Sequence, residues 1–240
     1  MAFSVAALLS PALMQLTTRS LPRLQTGQWW RIVTPVLVQA DGWGQLLFNL
    51  LGVAVVGAAL ERRMPRPAWA LAYTLGGVGS VIILIVLRPL ATGAGSSDAV
   101  AALVGALTVL LAIEAVAEKH TTARPRTSTT VHHGNRPGLD LVAQLYCVFF
   151  AAYLTAMDLG GLWWSIAAGN ASIISFTVGR RALSPTTMSR ACLVLVGLAG
   201  VIMTTEQDGH GIGIAAGAAV ALLTRLRRRP VAAAHPPVRL

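Results

Sequence analysis

Hydrophobic residues make up 55% of the 240-residue chain, charged residues only 12%, and the mean hydropathy is +0.65. Soluble domains carry about 25% charged residues, so this composition argues against an ordinary soluble domain. A formal net charge of +10 is typical of some nucleic-acid-binding proteins, but here the basic residues lie in short segments between apolar runs. The sequence therefore predicts an all-α integral membrane protein that binds no nucleic acid.

About eight apolar runs predict transmembrane helices, because a hydrocarbon core of about 30 Å needs about 20 apolar residues per helix. The runs lack the alternation of a barrel strand, so we expect helices. The N-terminal run has no basic start, which favours a short first span over a signal peptide. The predicted spans are 2–16, 43–60, 67–88, 97–117, 141–157, 160–178, 191–204 and 209–226.

The basic residues predict the orientation of the chain. An even number of spans places both termini on one side, together with a polar loop at 118–140 and a basic tail at 228–240. Cytoplasmic segments carry an excess of Lys and Arg, so we expect both termini to be cytoplasmic in the plasma membrane. Of the 19 Lys and Arg residues, the predicted opposite side holds only Arg19, Arg23, Arg31 and Arg88.

Two spans that both begin at the predicted outer face carry small residues at every fourth position. Gly209, Gly213 and Gly217 form one such stripe, and Ser97 begins the other. Such stripes allow two membrane helices to approach closely, which would bring the Ser97 hydroxyl to the His210 imidazole. A serine becomes a nucleophile when a base within about 3 Å takes its proton.

One amide on a neighbouring span is a candidate donor to the oxyanion of such a reaction, that of Asn49, one turn below Gln45. Each residue also has a purely structural interpretation. The glycines are consistent with simple packing, Ser97 with a helix N-cap, His210 with an interfacial position and Asn49 with a bond between helices. Asp208 lies two residues before His210, but this spacing alone does not direct its carboxylate at the ring.

Several separated motifs resemble the rhomboid family of intramembrane serine proteases. They occur in the family's order, and the resemblance covers residues 27–117 and 191–226. The motifs are Gly27-Gln28-Trp29-Trp30-Arg31 with Thr34-Pro35, Leu46-Leu47-Phe48-Asn49 with Gly57 and Leu60-Glu61, Tyr73 with Gly76, Gly77 and Gly79, Gly95-Ser96-Ser97 with Ala99, Leu103, Gly105 and Ala106, and His210 with Gly213 and Gly217.

The resemblance implies a six-span rhomboid-like bundle with an inserted helical hairpin at about 141–178, within a transmembrane domain of residues 1–227. It implies a serine endopeptidase with a Ser97–His210 dyad that cleaves transmembrane segments of other membrane proteins. Asn49, with Gln45, would hold the oxyanion. The resemblance implies no cofactor, and no metal site is expected.

Two departures from the family pattern favour a second interpretation. Asp98 stands where the family usually has glycine after its serine, and Gln45 stands where it usually has histidine. These residues favour a catalytically inactive rhomboid-like protein, a pseudoprotease that binds transmembrane helices without cleaving them. A third interpretation, a transporter, has support only from Glu114, the one acid within a predicted span near its cytoplasmic end.

Overall fold

The computed structural model describes residues 1–122 and 137–227, and within these ranges the chain is helical and forms no β-strand. Two short 3₁₀ turns, Trp29–Ile32 and Thr34–Leu37, precede the long helices. The helices are α1 Ala2–Leu9, α2 Pro11–Thr17, α3 Leu21–Gln25, α4 Gly42–Glu61, α5 Arg66–Leu87, α6 Ser97–Thr122, α7 Pro137–Gly160, α8 Leu162–Ala182, α9 Pro185–Thr205 and α10 Gly209–Arg227.

Six of the described helices, α4 to α7, α9 and α10, are long and apolar enough to cross a membrane. The predicted count of eight is not confirmed. The run 2–16 is interrupted at Ser10, whose extended backbone separates α1 from α2 and whose hydroxyl accepts the Leu13 amide at the start of α2. Neither part is long enough for about 30 Å of hydrocarbon. The predicted span 160–178 corresponds to α8, a 21-residue helix that is less apolar than the six.

The predicted domain boundaries remain predictions. The tail at 228–240 and most of the loop at 118–140 lie outside the described residues.

Helix α6 forms the centre of the bundle. The protein buries 78% of its apolar window, against 33–39% for the other five spans. Its large side chains Leu103, Leu107 and Leu110 are completely buried, and it packs against α5, α9 and α10. A helix surrounded in this way is shielded from lipid, so its first residues, including Ser97, are held by protein.

Helices α6 and α10 approach closely through the predicted glycine stripe. A Cβ atom added at Gly213 would overlap the carbonyl oxygen of Asp98, and one added at Gly217 would overlap the backbone of Ala102. The contact is reciprocal, since a Cβ at Gly105 would overlap the carbonyl of Ile214. The small residues therefore set the separation of the two helices, and they bring the start of α10 beside the start of α6.

Charged residues join four helices at the opposite end of the bundle. Arg63, just after α4, donates to Glu114 of α6 and to Asp140 of α7, each at 3.0 Å. Arg225 of α10 donates to the second oxygen of Glu114 at 3.0 Å. In this ionic cluster Glu114, on which the transporter interpretation relied, is paired with two arginines. Glu114 therefore has a structural role.

Helices α7 and α8 form a hairpin that packs on the side of the bundle. Helix α8 packs mainly against α7 and makes only a small contact with α9. Helix α7 contacts the core through aromatic rings, since Phe48 of α4 lies 5.1 Å from Tyr146 and 5.8 Å from Phe150, centroid to centroid. Helix α8 is therefore peripheral, whereas α7 buries Phe150 and Ala151 completely in the core. That the pair is an insertion remains a prediction.

Candidate active site

A cavity of about 280 Å³ opens where α6 and α10 begin. Both α6, which starts at Ser97, and α10, which starts at Gly209, contribute their first residues to it, because the glycine contacts hold the two helix starts side by side. The residues that line it include Arg19, Asp41, Gln45, Ser97, Asp98, Asp208 and His210. The structure thus brings together three of the four predicted site residues: Ser97, His210 and Gln45.

A helix-terminating turn places Asp208 beside His210. After α9 the chain turns through Gln207, whose φ is +56°, with its amide bonded to Thr204 O and the Asp208 amide bonded to Met203 O. This is the hydrogen-bond pattern of a Schellman motif. The turn delivers Asp208 to the first turn of α10, where its Oδ1 accepts the backbone N–H of His210 at 3.1 Å.

The Asp208 carboxylate also contacts the imidazole directly. Its two oxygens lie 2.7 Å and 2.8 Å from Nδ1 of His210. Burial opposes ionisation of Asp208, but the bonds from His210 outweigh it and hold the pKa of the Asp208 carboxyl below its usual range. An ionised carboxylate at Nδ1 fixes the ring orientation and keeps the proton on Nδ1, so Nε2 is the nitrogen left for chemistry.

The free nitrogen of His210 faces Asp98. Nε2 is buried and has no hydrogen-bond partner, and it lies 3.8 Å from Oδ1 of Asp98. Because Nδ1 is bonded to Asp208 and Nε2 is unpaired, Ser97 and His210 share a cavity without being hydrogen-bonded to each other. The Asp98 carboxylate packs against Gly209, where an added Cβ would overlap it.

Asn49 lies outside the cavity, in a buried amide network. Its Nδ2 donates to Oε1 of Gln39 at 2.8 Å, and Nε2 of Gln39 donates to the Ser96 hydroxyl at 2.9 Å. Asn49 and Gln39 are each only 2% exposed, and the side-chain oxygen Oδ1 of Asn49 has no hydrogen-bond partner. Through Gln39, the amide of Asn49 is thus linked to Ser96, the residue before Ser97. Gln45 lines the cavity, and its Nε2 donates to Asp41 at 3.0 Å.

Sequence reasoning missed two charged residues of this site. Arg19 is a buried cavity residue whose amide bonds Gly93 O at 2.9 Å; burial lowers the pKa of its guanidinium, partly offset by Asp98. Asp158, near the end of α7, interacts electrostatically with both Asp208 and His210. Arg19 lies more than seventy residues from its partners in sequence, so no local pattern could indicate its position. Asp158 could have been found from the sequence, because it is an acidic residue directly after the predicted outer end of the span 141–157.

The first loop docks onto the N-terminal helices. Arg31, only 4% exposed, donates to Gln15 O and Thr18 O at 2.7 Å and to Gln28 Oε1 at 2.8 Å. Trp30 donates to Leu16 O at 3.1 Å. These bonds satisfy the carbonyls at the end of α2, so the motif at residues 27–31 has a structural function near the cavity.

A family model described as a rhomboid domain matches residues 26–157, which is more than half of the chain. The chain belongs to the rhomboid family. The rhomboid match includes Gln45, Asn49 and Ser97, and it ends before Asp208 and His210. Together with the all-helical bundle and its six candidate spans, it supports an integral membrane protein of the rhomboid type.

Two curated rhomboid relatives from Bacillus subtilis (strain 168) match parts of the chain. The putative rhomboid protease YdcA is 34% identical over 97 residues, which are 39% of this chain and 48% of the relative. The rhomboid protease GluP is 36% identical over 81 residues, which are 34% of this chain and 16% of the relative. The matched regions thus span less than half of either relative. No solved structure matches the chain significantly.

Proposed function

We propose that this rhomboid protein is an intramembrane serine endopeptidase in which Ser97 is the nucleophile and His210 the general base. The observation that carries the proposal is the shared cavity of Ser97 and His210, with the Asp208 carboxylate 2.7 Å from Nδ1 of the ring. The two relatives that are named rhomboid proteases add support.

The proposed reaction assigns a role to each group. His210 Nε2 takes the Ser97 proton as the hydroxyl oxygen attacks the scissile carbonyl, and Asp208 stabilises the imidazolium that forms. The backbone N–H of Ser97 and the Gln45 amide stabilise the oxyanion. When the C–N bond breaks, the proton passes to the leaving amine, and water then hydrolyses the Ser97 ester.

This chemistry requires a movement at His210. Nε2, which lies 3.8 Å from the Asp98 carboxylate without a hydrogen bond, must reach the Ser97 hydroxyl, and Gln45 must release Asp41. Asn49 acts as a positioning residue in this scheme, since its amide is engaged by Gln39 beside Ser96. Substrate binding in the cavity is the event that we expect to drive these changes.

One observation favours the alternative, a pseudoprotease that binds transmembrane helices. Asp98 sits opposite Nε2, and a carboxylate beside the nucleophile repels a developing oxyanion. If Asp98 still faces Nε2 of His210 when a client helix binds, His210 does not reach Ser97 and the protein binds the helix without cleaving it.

The proposed substrates or clients are transmembrane segments of other membrane proteins in the surrounding bilayer. We place the cavity at the outer face of the plasma membrane and the end of α10 at the cytoplasmic face. The cytoplasmic N-terminus remains a prediction, since neither α1 nor α2 is long enough to span. The excess of basic residues at the opposite end supports this orientation. Exposed Trp163 and Trp164, 81% and 69% accessible, begin α8 at the cavity end, where amphipathic rings settle at a membrane interface.

The test is labelling of the purified protein in detergent with a fluorophosphonate probe. We expect labelling of the wild type, located on Ser97 by mass spectrometry of the labelled peptide, and its loss in Ser97→Ala and His210→Ala. Ser172→Ala, which changes a serine of α8 outside the cavity, serves as the control and keeps the label. No labelling of a folded wild type, beside a labelled rhomboid protease, would favour the pseudoprotease.

A further inference from the structure

The gap between His210 and Asp98 has an unusual width. Nε2 of His210 and Oδ1 of Asp98 are 3.8 Å apart, which is too long for a hydrogen bond. Zinc binds imidazole nitrogen at about 2.0–2.1 Å and carboxylate oxygen at about 2.0–2.2 Å, so two atoms bridged by one ion lie roughly 3–4 Å apart. The gap therefore has the width of a metal-bridged pair.

The other side of the same imidazole is arranged as it is in metal sites. Histidine ligands of metals usually bind through one nitrogen while the other donates its N–H to a carboxylate, which fixes the ring. Here Asp208 accepts from Nδ1 at 2.7 Å, and Nε2 is a buried atom without any hydrogen-bond partner. An unpaired buried nitrogen loses free energy, and a bound cation is one of the partners that would satisfy it.

The charges around this ring also favour a cation. Asp98, Asp208 and His210 each offer a donor atom, and these atoms lie within 4.8 Å of one another. Asp158 adds a third carboxylate, which interacts with Asp208 and His210. Arg19 is the cationic side chain of the cavity that interacts with Asp98. His210 thus interacts with three carboxylates, those of Asp208, Asp98 and Asp158, in a chain whose overall charge is strongly positive.

We propose that Asp98, Asp208 and His210 form a binding site for a divalent first-row transition-metal cation such as Zn²⁺. The ion lies between His210 Nε2 and the Asp98 carboxylate, and Asp208 orients the ring from Nδ1. An imidazole with carboxylate oxygens is a donor set that suits Zn²⁺ and its neighbours rather than Ca²⁺ or Mg²⁺, which prefer oxygen ligands alone. Water completes the coordination from the cavity.

A cation at this position controls the serine site. Nε2 cannot accept the Ser97 proton while its lone pair is bound to a metal ion. The bound state is thus an inhibited state of the proposed protease, and removal of the ion frees the base. In the pseudoprotease alternative the same site binds the ion without any effect on catalysis, so metal binding is measured separately from activity.

The first experiment measures Co²⁺ binding to the purified protein in detergent, prepared without a histidine tag. Four other histidines, His120, His132, His133 and His235, are replaced by Gln so that they do not contribute ligands. We expect one Co²⁺ per chain with a visible d–d absorption that Zn²⁺ displaces. Asp98→Asn and His210→Gln should abolish the spectrum, and Asp208→Asn should weaken binding by about 10- to 100-fold.

The matched control is Glu206→Gln, which removes one negative charge next to the same cavity without touching the cluster. It should bind Co²⁺ as the parent protein does. A thermal unfolding midpoint for each variant shows that loss of binding is not loss of fold. The proposal is overturned if the parent binds no Co²⁺, or if binding is equal in Asp98→Asn, His210→Gln and Glu206→Gln.

A second measurement tests whether metal binding at this site blocks the reactivity of Ser97. Fluorophosphonate labelling of the wild type should fall at least tenfold with Zn²⁺ and recover with a chelator. In Asp98→Asn the same Zn²⁺ should have no effect on labelling. Zinc inhibition that persists in Asp98→Asn contradicts this site, whereas Co²⁺ binding in a protein that never labels keeps the site and refutes only the proposed protease.

Discussion

The close contact of α6 and α10 makes a quantitative prediction for Gly217→Ala. In a helix interior, replacing Gly by Ala removes a propensity penalty of about 1 kcal/mol. At Gly217, however, the new methyl group would overlap the backbone of Ala102, which cannot rotate aside as a side chain can. Overpacking costs about 1–3 kcal/mol where side chains adjust, so we expect the upper part of that range and a net loss of stability.

Gly197→Ala is the matched control, because an added Cβ there meets nothing within 4 Å. Its stability should stay the same or rise by up to about 1 kcal/mol. The propensity gain is common to both variants, so they should differ by the overpacking cost of about 2–3 kcal/mol. For a chain of this size, 1 kcal/mol corresponds to about 2–4 °C. Thermal unfolding in detergent, followed by circular dichroism, should therefore place Gly217→Ala roughly 4–12 °C below Gly197→Ala. Equal midpoints would refute the close approach.

Three further predictions concern charged groups. Arg63→Ala removes one of two arginine partners from each of Glu114 and Asp140, and should lower the free energy of unfolding by about 1.5–3 kcal/mol. Arg66→Ala, whose side chain is 87% exposed, should leave the unfolding midpoint unchanged. Because the pKa of Asp208 is lowered in the folded protein, ionised Asp208 stabilises the fold above about pH 4, and this contribution is lost at lower pH. The thermal unfolding midpoint of Asp208→Asn should therefore fall less on acidification than that of the wild type. Asp98→Gly should increase fluorophosphonate labelling, and unchanged labelling would show that Asp98 does not hold the base away.

Much of the bundle could be predicted from the sequence, because lipid imposes a simple rule on helix length and polarity. The predicted spans at 43–60, 67–88 and 97–117 correspond to α4, α5 and α6. The stripe of Gly209, Gly213 and Gly217 predicted the contact with α6, since few functions other than close packing require such spacing. The predicted span 2–16 is not confirmed, because Ser10 and Pro11 start a new helix within it, a capping signal that hydropathy does not register.

The candidate site was less predictable, because it depends on side-chain directions. The cavity does contain Ser97, His210 and Gln45, which helix positions alone bring together. The direction of Asp208 depends on the left-handed backbone at Gln207, an uncommon conformation for a residue other than glycine. The side-chain amide of Asn49 is bonded to Gln39, which lies ten residues away across a loop. Periodicity predicts neither the Asp208–His210 contact nor the Gln39–Asn49 contact. Both contacts decide which atoms of His210 and Asn49 remain available for chemistry.

The ionic cluster around Arg63 gives the bundle one fixed end. It ties together the ends of α4, α6, α7 and α10 that lie away from the cavity, while at the other end α6 and α10 meet around the cavity. Helix α10, with 19 residues, is about 28 Å long. A tilt of about 5° about its anchored end would move His210 by roughly 2 Å. Because Nε2 has no hydrogen-bond partner, rotations of this size would change which groups lie nearest to it.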